Sequence, residues 1–185
     1  MNEFSTYEFA VHQKIQGKYL LARIALITVY VLYIVGGLLI AINTAFAALF
    51  ALAPLTLWII VFFTWRFTDV DYEYSITSGE LTFAKIYGNR MRRRVLKLEL
   101  RSASVIAPLD NAEHSAKAET WRPERAYFAV SSMSAPDIYY ILFEDGSKGK
   151  KDKKRAIFYF EATAKALQIC RFYNPSATIL TQTTR

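Results

Sequence analysis

A run of 42 residues without a charged side chain extends from Ile24 to Trp65 and constrains the fold more than any other feature. As one α-helix it would be roughly 60 Å long, about twice the hydrocarbon thickness of a bilayer. The run therefore predicts two membrane spans folded back on each other. The adjacent polar pair Asn43 and Thr44 places the turn between them. The expected spans are about 24–42 and 45–65, with a kink in the second at Pro54.

The basic residues around this hairpin, expected over 19–66, predict its orientation. Lys and Arg side chains precede the first span and follow the second, whereas the tip has none. Because basic residues are retained on the inner side, both termini are expected in the cytoplasm and the protein is expected in the cell membrane as a multi-pass chain. Tyr19 and Trp65 flank the spans and are the predicted anchors at the membrane interface.

Two other interpretations of the apolar run are less favoured. The small residues Ala45 and Ala47 resemble a signal-peptide cleavage site, but the preceding apolar segment is too long and a second span follows it. A helical hairpin buried in a soluble core would need a larger covering domain than this chain provides.

The first 18 residues predict an amphipathic leader helix. Phe4, Tyr7, Val11 and Ile15 recur at intervals of three and four residues, which is one helical face. Such a helix would lie on the inner leaflet or extend the first span into the cytoplasm.

Residues 66–185 are long enough for one domain of ordinary size. They hold 20 Lys and Arg against 14 Asp and Glu, and so carry +6 of the formal net charge of +7. A basic domain suits an anionic leaflet, and no nucleic-acid motif is present, so no nucleic-acid partner is expected. The single cysteine, Cys170, excludes an intramolecular disulfide and is expected to be a buried structural thiol.

Alternating apolar and polar residues behind the hairpin predict seven strands, with tight turns at 78–79 and 88–89. The strands are expected at 70–77, 81–86, 96–101, 104–108, 126–131, 138–144 and 155–160. A polar connection at 109–124, with one helical turn at 112–118, separates the first four from the last three. The period then changes, and one face from Thr163 to Tyr173 predicts a helix that Asn174 and Pro175 end. Residues 176–185 are expected to be a loosely ordered tail.

This order of elements resembles the pleckstrin-homology (PH) fold, and the resemblance rests on three segments. They are Asp71-Tyr-Glu-Tyr-Ser-Ile-Thr-Ser-Gly-Glu-Leu, Arg94-Val-Leu-Lys-Leu and Val105-Ile-Ala-Pro. With the preceding spans, the chain resembles bacterial two-span membrane proteins with a cytoplasmic PH-like domain. The resemblance implies an α+β fold: a two-helix transmembrane hairpin, then a PH-like seven-stranded, partly open barrel over 67–175 with a C-terminal helix. A lipocalin-like barrel or a split sheet is the alternative.

Two basic clusters fall on predicted hairpin turns. The first consists of Arg90, Arg92, Arg93 and Arg94, on a turn that points back toward the bilayer, and is the candidate contact with anionic lipid. Its alternative is a solvated turn. The second, from Lys148 to Arg155, is expected to be a solvated loop. PH domains that bind phosphoinositides usually carry basic residues on their first turn, where this chain has Ser78-Gly79-Glu80; that departure argues against an inositol-phosphate pocket.

Catalysis has little support in the sequence. His12 and His114 are far apart and lack metal-ligand companions, and the usual nucleophile, zinc and phosphate-loop motifs are missing. No enzyme activity, cofactor or metal is expected. The favoured function is a non-enzymatic, membrane-anchored PH-like module for protein interaction or self-association. The alternative is sensing of anionic lipid at the inner leaflet; a transporter subunit is disfavoured by the purely apolar spans.

Overall fold

The computed structural model of the chain describes residues 6–43, 47–88, 90–110, 112–146 and 154–181. These residues form two compact units. The helical unit comprises Lys14–Val70 and Tyr87–Met91. The sheet unit comprises the described residues up to Gln13, then Asp71–Ile86, then the described residues from Arg92 onward.

The helical unit begins with a long apolar helix, α1, over Lys18–Asn43. Its segment Tyr19–Ile42 has 24 residues and a mean hydropathy of 2.5, so it is long and apolar enough to cross a membrane. None of the residues in its most apolar part is buried. It is the one such helix among the described residues.

The predicted second span is divided in the structure. A short helix α2, Ala47–Phe50, is followed by a turn, by α3 over Ala53–Thr64, and by a 3₁₀ turn over Trp65–Thr68. Pro54 lies in the first turn of α3, where its missing N–H costs nothing, so it starts a helix instead of kinking one. The apolar segment Ala53–Thr68 is therefore shorter than the predicted span. The predicted turn residue Asn43 ends α1, and Thr44 lies outside the described residues.

Two tyrosine–threonine hydrogen bonds join α1 to α3. The Tyr30 hydroxyl lies 2.5 Å from Thr64 Oγ1, and the Tyr33 hydroxyl lies 2.6 Å from Thr56 Oγ1. Since the partner number falls as the α1 number rises, the two helices run antiparallel.

The first sheet of the sheet unit has the order β1-β2-β3-β4. Its strands are β1 over Thr6–His12, β2 over Val70–Thr77, β3 over Glu80–Tyr87 and β4 over Met91–Glu99. The predicted turn between β2 and β3 is present: Ser78 and Gly79 have φ of 52° and 84°, the left-handed values that a two-residue hairpin needs.

The predicted leader helix is wrong, because residues 6–12 form the edge strand β1. This strand pairs antiparallel with β2 from Thr6↔Thr77 to His12↔Asp71. Tyr7, Phe9 and Val11 point inward while their neighbours are exposed, which is a period of two. The sequence of this segment fits both a helical spacing and this alternation, and pairing with β2 stabilises the strand.

The second sheet has the order β5-β7-β8-β6, with β5 over Val105–Pro108, β6 over Arg125–Ala129, β7 over Ile138–Asp145 and β8 over Lys154–Glu161. β5 pairs antiparallel with β7, so the strand that the sequence assigned to the first group of four belongs to the second sheet. β1 takes its place in the first sheet. β6 pairs parallel with β8. The described residues thus hold eight strands in two sheets of four, where seven strands were predicted.

Two helices complete the sheet unit. The polar connection carries α4, Ala112–Thr120, which is longer than the predicted single turn. The predicted C-terminal helix is confirmed as α5, Ala164–Tyr173, with the Thr163 hydroxyl accepting a cap hydrogen bond from the Ala166 N–H. The expected loose tail is wrong for residues 176–181: the Ile106 N–H donates to the Ala177 carbonyl and the Ile179 N–H to the Ile106 carbonyl, both at 2.8 Å.

Candidate functional site

The predicted basic cluster is divided between a turn and a strand. Arg90 lies in the turn that follows Gly88, whereas Arg92, Arg93 and Arg94 belong to β4 and not to the predicted hairpin turn. The sequence placed the start of this strand near Leu96 because apolar alternation begins only there. The first four residues of β4 are all exposed, so no buried face marks them in the sequence.

The three strand arginines face both sides of the sheet. Arg92 forms an ion pair with Glu73, which lies on β2 of the same sheet. Side chains alternate along a strand, so Arg94 shares the side of Arg92 and Arg93 lies on the opposite side. Since β4 is the last strand in its sheet, Met91–Arg94 form an uncovered basic edge.

Three other arginines converge in the helical unit, at the C-terminal end of α3. The Arg90 guanidinium lies 4.6 Å from the centre of the Phe62 ring. The Arg66 guanidinium lies 5.6 Å from the Phe63 ring and 5.0 Å from the Phe67 ring. Such cation–π contacts hold a guanidinium by its face and leave its edge donors for an acceptor.

Arg23 reaches this region from the start of α1. Its guanidinium lies 5.3 Å from the Trp65 ring, donates a 3.3 Å hydrogen bond to the Thr68 carbonyl and lies 3.6 Å from the Asp69 carboxylate. The Nε atoms of Arg23 and Arg66 are buried and have no hydrogen-bond acceptor among the described residues. Buried donors of this kind are costly to leave unsatisfied.

The turn between β3 and β4 packs directly against Arg66. Gly88 has φ of 54°, and its N–H donates a 2.8 Å hydrogen bond to the Asp69 carbonyl. A Cβ atom at Gly88 would lie 2.7 Å from the Arg66 Cβ, so this close approach requires glycine. The turn thereby brings Arg90 next to α3.

These residues surround a cavity of about 330 Å³, which we call the juxta-α3 pocket. Its wall combines three aromatic rings with two arginines and one carboxylate: Trp58, Phe62, Trp65, Arg66, Asp69 and Arg90. The Trp58 and Phe62 rings stack with their centres 5.6 Å apart. An apolar wall with a few charged groups is the usual composition of a small-molecule site.

Arg90 and Trp65 were predicted contacts, but their convergence with Trp58, Phe62 and Arg66 was not predicted from the sequence. The spacing of 58, 62, 65 and 66 puts these side chains on one side of a helix. This spacing is the feature of the sequence that could have indicated the pocket. Tyr19, the other predicted anchor, is half-buried at the start of α1. The interface role of Tyr19 and Trp65 stays a prediction.

The second basic cluster falls mostly outside the described residues, which end at Gly146 and resume at Lys154. Lys154 is paired, with its Nζ 2.5 Å from Glu124 Oε2. This exposed contact lowers the pKa of the Glu124 carboxyl, first through the hydrogen bond from Lys154.

Two sheets of four strands followed by a C-terminal helix have the architecture of a PH-like domain. Residues 4–180 match the family model described as bacterial PH-like domain (DUF6106), and the chain belongs to that family. The match includes β1 and the whole helical unit as well as the two sheets. No curated protein and no solved structure matches the chain.

Proposed function

We propose that this protein is a non-enzymatic, membrane-anchored PH-like module that recruits a protein partner. In this proposal the chain lies in the cell membrane, crosses it twice and keeps both termini in the cytoplasm. The absence of catalytic motifs in the sequence supports a binding role, and the exposed apolar surface of α1 supports a lipid environment.

The pairing of β1 with β2 supports an even number of membrane crossings. His12 and Asp71 are partners in the first sheet, although 59 residues separate them in the chain. Both strands must therefore lie on the same side of a membrane. If α1 crosses, the chain has to return before Asp71, and α3 running antiparallel to α1 is the segment available. With α2 and the 3₁₀ turn, this second arm runs from Ala47 to Thr68.

The observation that carries the interaction is the uncovered edge of β4. An edge strand presents unpaired backbone groups to which an extended segment can add as a further strand. Arg93 and Arg94 would lie beside the added strand and favour acidic side chains there. Antiparallel pairing of β4 with β4 of a second copy would place arginine opposite arginine, which disfavours self-association through this edge.

A photo-crosslinking amino acid at Arg93 tests this proposal in intact cells, with the same probe at exposed Gln168 on α5 as the matched control. We expect a crosslinked partner at position 93 that is not captured from position 168, with the contact mapping to an acidic extended segment. Charge reversal by Arg94→Glu should reduce the yield severalfold. If only the monomer is recovered from position 93, or if the R94E variant crosslinks equally well, the β4 edge is not the binding surface.

A second candidate function is binding of anionic lipid at the inner leaflet. The juxta-α3 pocket favours it, because aromatic and arginine side chains meet there at the end of an apolar helix. Among the predicted lipid contacts only Arg90 lines that pocket. The β4 arginines are assigned here to the protein partner.

A further inference from the structure

We infer that the juxta-α3 pocket binds the headgroup phosphate of one anionic phospholipid, with Arg66 and Arg90 as the phosphate ligands. The inference rests on the proposed membrane location of α1 and α3. It goes beyond general attraction to an anionic surface, because it assigns one lipid molecule to one built pocket.

The two arginines line the same pocket, and each has aromatic rings against its guanidinium group. Aromatic rings hold the face of each guanidinium: Phe62 for Arg90, and Phe63 and Phe67 for Arg66. The edge N–H groups are the donors that match phosphate oxygens in pairs. The buried Arg66 Nε, which has no acceptor among the described residues, adds a reason for an anion at this place.

The charge balance of the pocket favours an anionic phosphate group. Asp69 also lines the cavity, but its carboxylate lies 3.6 Å from Arg23, which offsets its charge. Three arginines against one carboxylate leave two positive charges near the pocket. A phosphodiester, as in a phospholipid headgroup, has two unesterified oxygens that can accept from Arg66 and Arg90.

The aromatic part of the wall favours a lipid over a free phosphate compound. The Trp58 and Phe62 side chains are 64% and 41% exposed, on a helix whose outward residues are apolar. Tryptophan at such a position is typical of the headgroup level of a bilayer. A volume of about 330 Å³ accommodates a headgroup, while the acyl chains would lie along the outside of α3.

The full chain, reconstituted in nanodiscs of phosphatidylcholine with a minor fraction of phosphatidylglycerol, tests the inference. Native mass spectrometry after release from the disc counts the lipid molecules that each protein retains. We expect the unmodified chain to retain one phosphatidylglycerol in preference to phosphatidylcholine. Arg90→Gln should weaken retention about fivefold, and the double variant with Arg66→Gln should weaken it further. Arg90→Lys should retain more lipid than Arg90→Gln but less than the unmodified chain, because it keeps the charge and loses the paired guanidinium donors.

Arg101→Gln is the matched control, since Arg101 is exposed on the 3₁₀ turn of the sheet unit over Leu100–Ser102. It should retain lipid like the unmodified chain. Equal retention by Arg90→Gln, or equal retention of phosphatidylcholine, would overturn the inference. Displacement of phosphatidylglycerol by soluble glycerol phosphate would also overturn it, because the pocket would then be a site for a soluble phosphate compound.

Failure of the lipid site and failure of the membrane proposal give different results. If alkaline carbonate extracts the chain from native membranes, the membrane location itself is wrong. If the chain resists extraction but retains no selected lipid, only the lipid site is wrong. Near-ultraviolet circular dichroism shows whether each variant is folded, so that only folded variants are compared. The Arg90→Lys variant separates loss of charge from loss of structure.

Discussion

Buried polar side chains join distant parts of the sheet unit. The Asn174 amide, at the end of α5, donates 2.9 Å hydrogen bonds to the carbonyls of Leu100 and Ala103. The Tyr74 hydroxyl donates to the Glu161 carbonyl at 2.9 Å, and its burial raises the pKa of Tyr74. Each bond satisfies a group that would otherwise be costly to bury, so these residues specify which elements meet.

Gly79 is a residue where a single methyl group should be costly. Its φ is 84°, and a Cβ atom there would lie 2.6 Å from Cδ1 of the Tyr173 ring. Gly79→Ala should lower the unfolding free energy by about 2 kcal/mol through backbone strain and this clash. Thermal unfolding of the purified chain in detergent measures the loss. Gly146→Ala is the control, because nothing lies within 4 Å of its added Cβ. Equal melting temperatures for the two variants would refute the argument.

Cys170 predicts how the sheet unit responds to alkaline pH. Burial raises the pKa of the Cys170 thiol to about 12 from an ordinary value of 9.0. A raised pKa in the folded state means that the contribution to stability is complete below pH 9.0 and is lost as the pH rises toward 12. We expect the melting temperature to fall as the pH rises from 9.0 to about 12. The fall should be smaller in Cys170→Ala. The folded chain should resist thiol reagents near neutral pH, since almost no thiolate forms there; rapid stoichiometric labelling would contradict this burial.

At the scale of elements, β1 is the segment whose observed structure differs most from the structure that its local sequence pattern predicts. Its inward side chains complete the first sheet, and the Tyr7 hydroxyl lies 2.5 Å from Thr163 Oγ1 at the cap of α5. The Tyr72 hydroxyl donates to Gln13 Oε1 at 2.5 Å, just beyond the strand. Residues 6–13 therefore belong to the sheet unit.

Two adjacent positions on β1 test this assignment. Val11 is 6% exposed, whereas Ala10 is exposed on the opposite side of the strand. Val11→Lys should lower the unfolding free energy by about 2–4 kcal/mol, because it buries an unpaired charge, while Ala10→Lys should change it by less than about 0.5 kcal/mol. Thermal unfolding of the two full-length variants supplies the comparison. If Ala10→Lys is as harmful as Val11→Lys, the alternation of β1 is not the relevant pattern.

At the scale of the whole molecule, the helical unit is inserted between two neighbouring strands of one sheet. Its chain leaves after Gln13 and returns at Asp71, and β1 pairs with β2 at that point. The insertion must therefore bring its two ends back together. This requirement supports the proposed second crossing of the membrane.

Labelling from outside intact cells tests the topology. With Cys170 replaced by alanine, Asn43→Cys should react with a membrane-impermeant maleimide, because Asn43 ends α1 at the predicted outer tip. Gln168→Cys on exposed α5 should react only after the membrane is permeabilised. Labelling of position 168 in intact cells would place the PH-like domain outside and reverse the proposed orientation.

Local patterns in the sequence were enough to determine the apolar helical segment, most strands of the two sheets, the β2–β3 turn and α5. Each of these depends on periodicity within a few residues, which the chain carries in its own order. The buried position of Cys170 followed in the same way from its place on the inner face of α5.

Only the tertiary structure decided the pairing of segments that are far apart in the chain. β1 finds its partner 59 residues away, β5 joins the second sheet by pairing with β7, and β6 runs parallel to β8. The juxta-α3 pocket likewise forms because the Gly88 turn places Arg90 against Phe62. Such contacts depend on which surfaces are buried together, a property of the folded chain that no short stretch of residues contains.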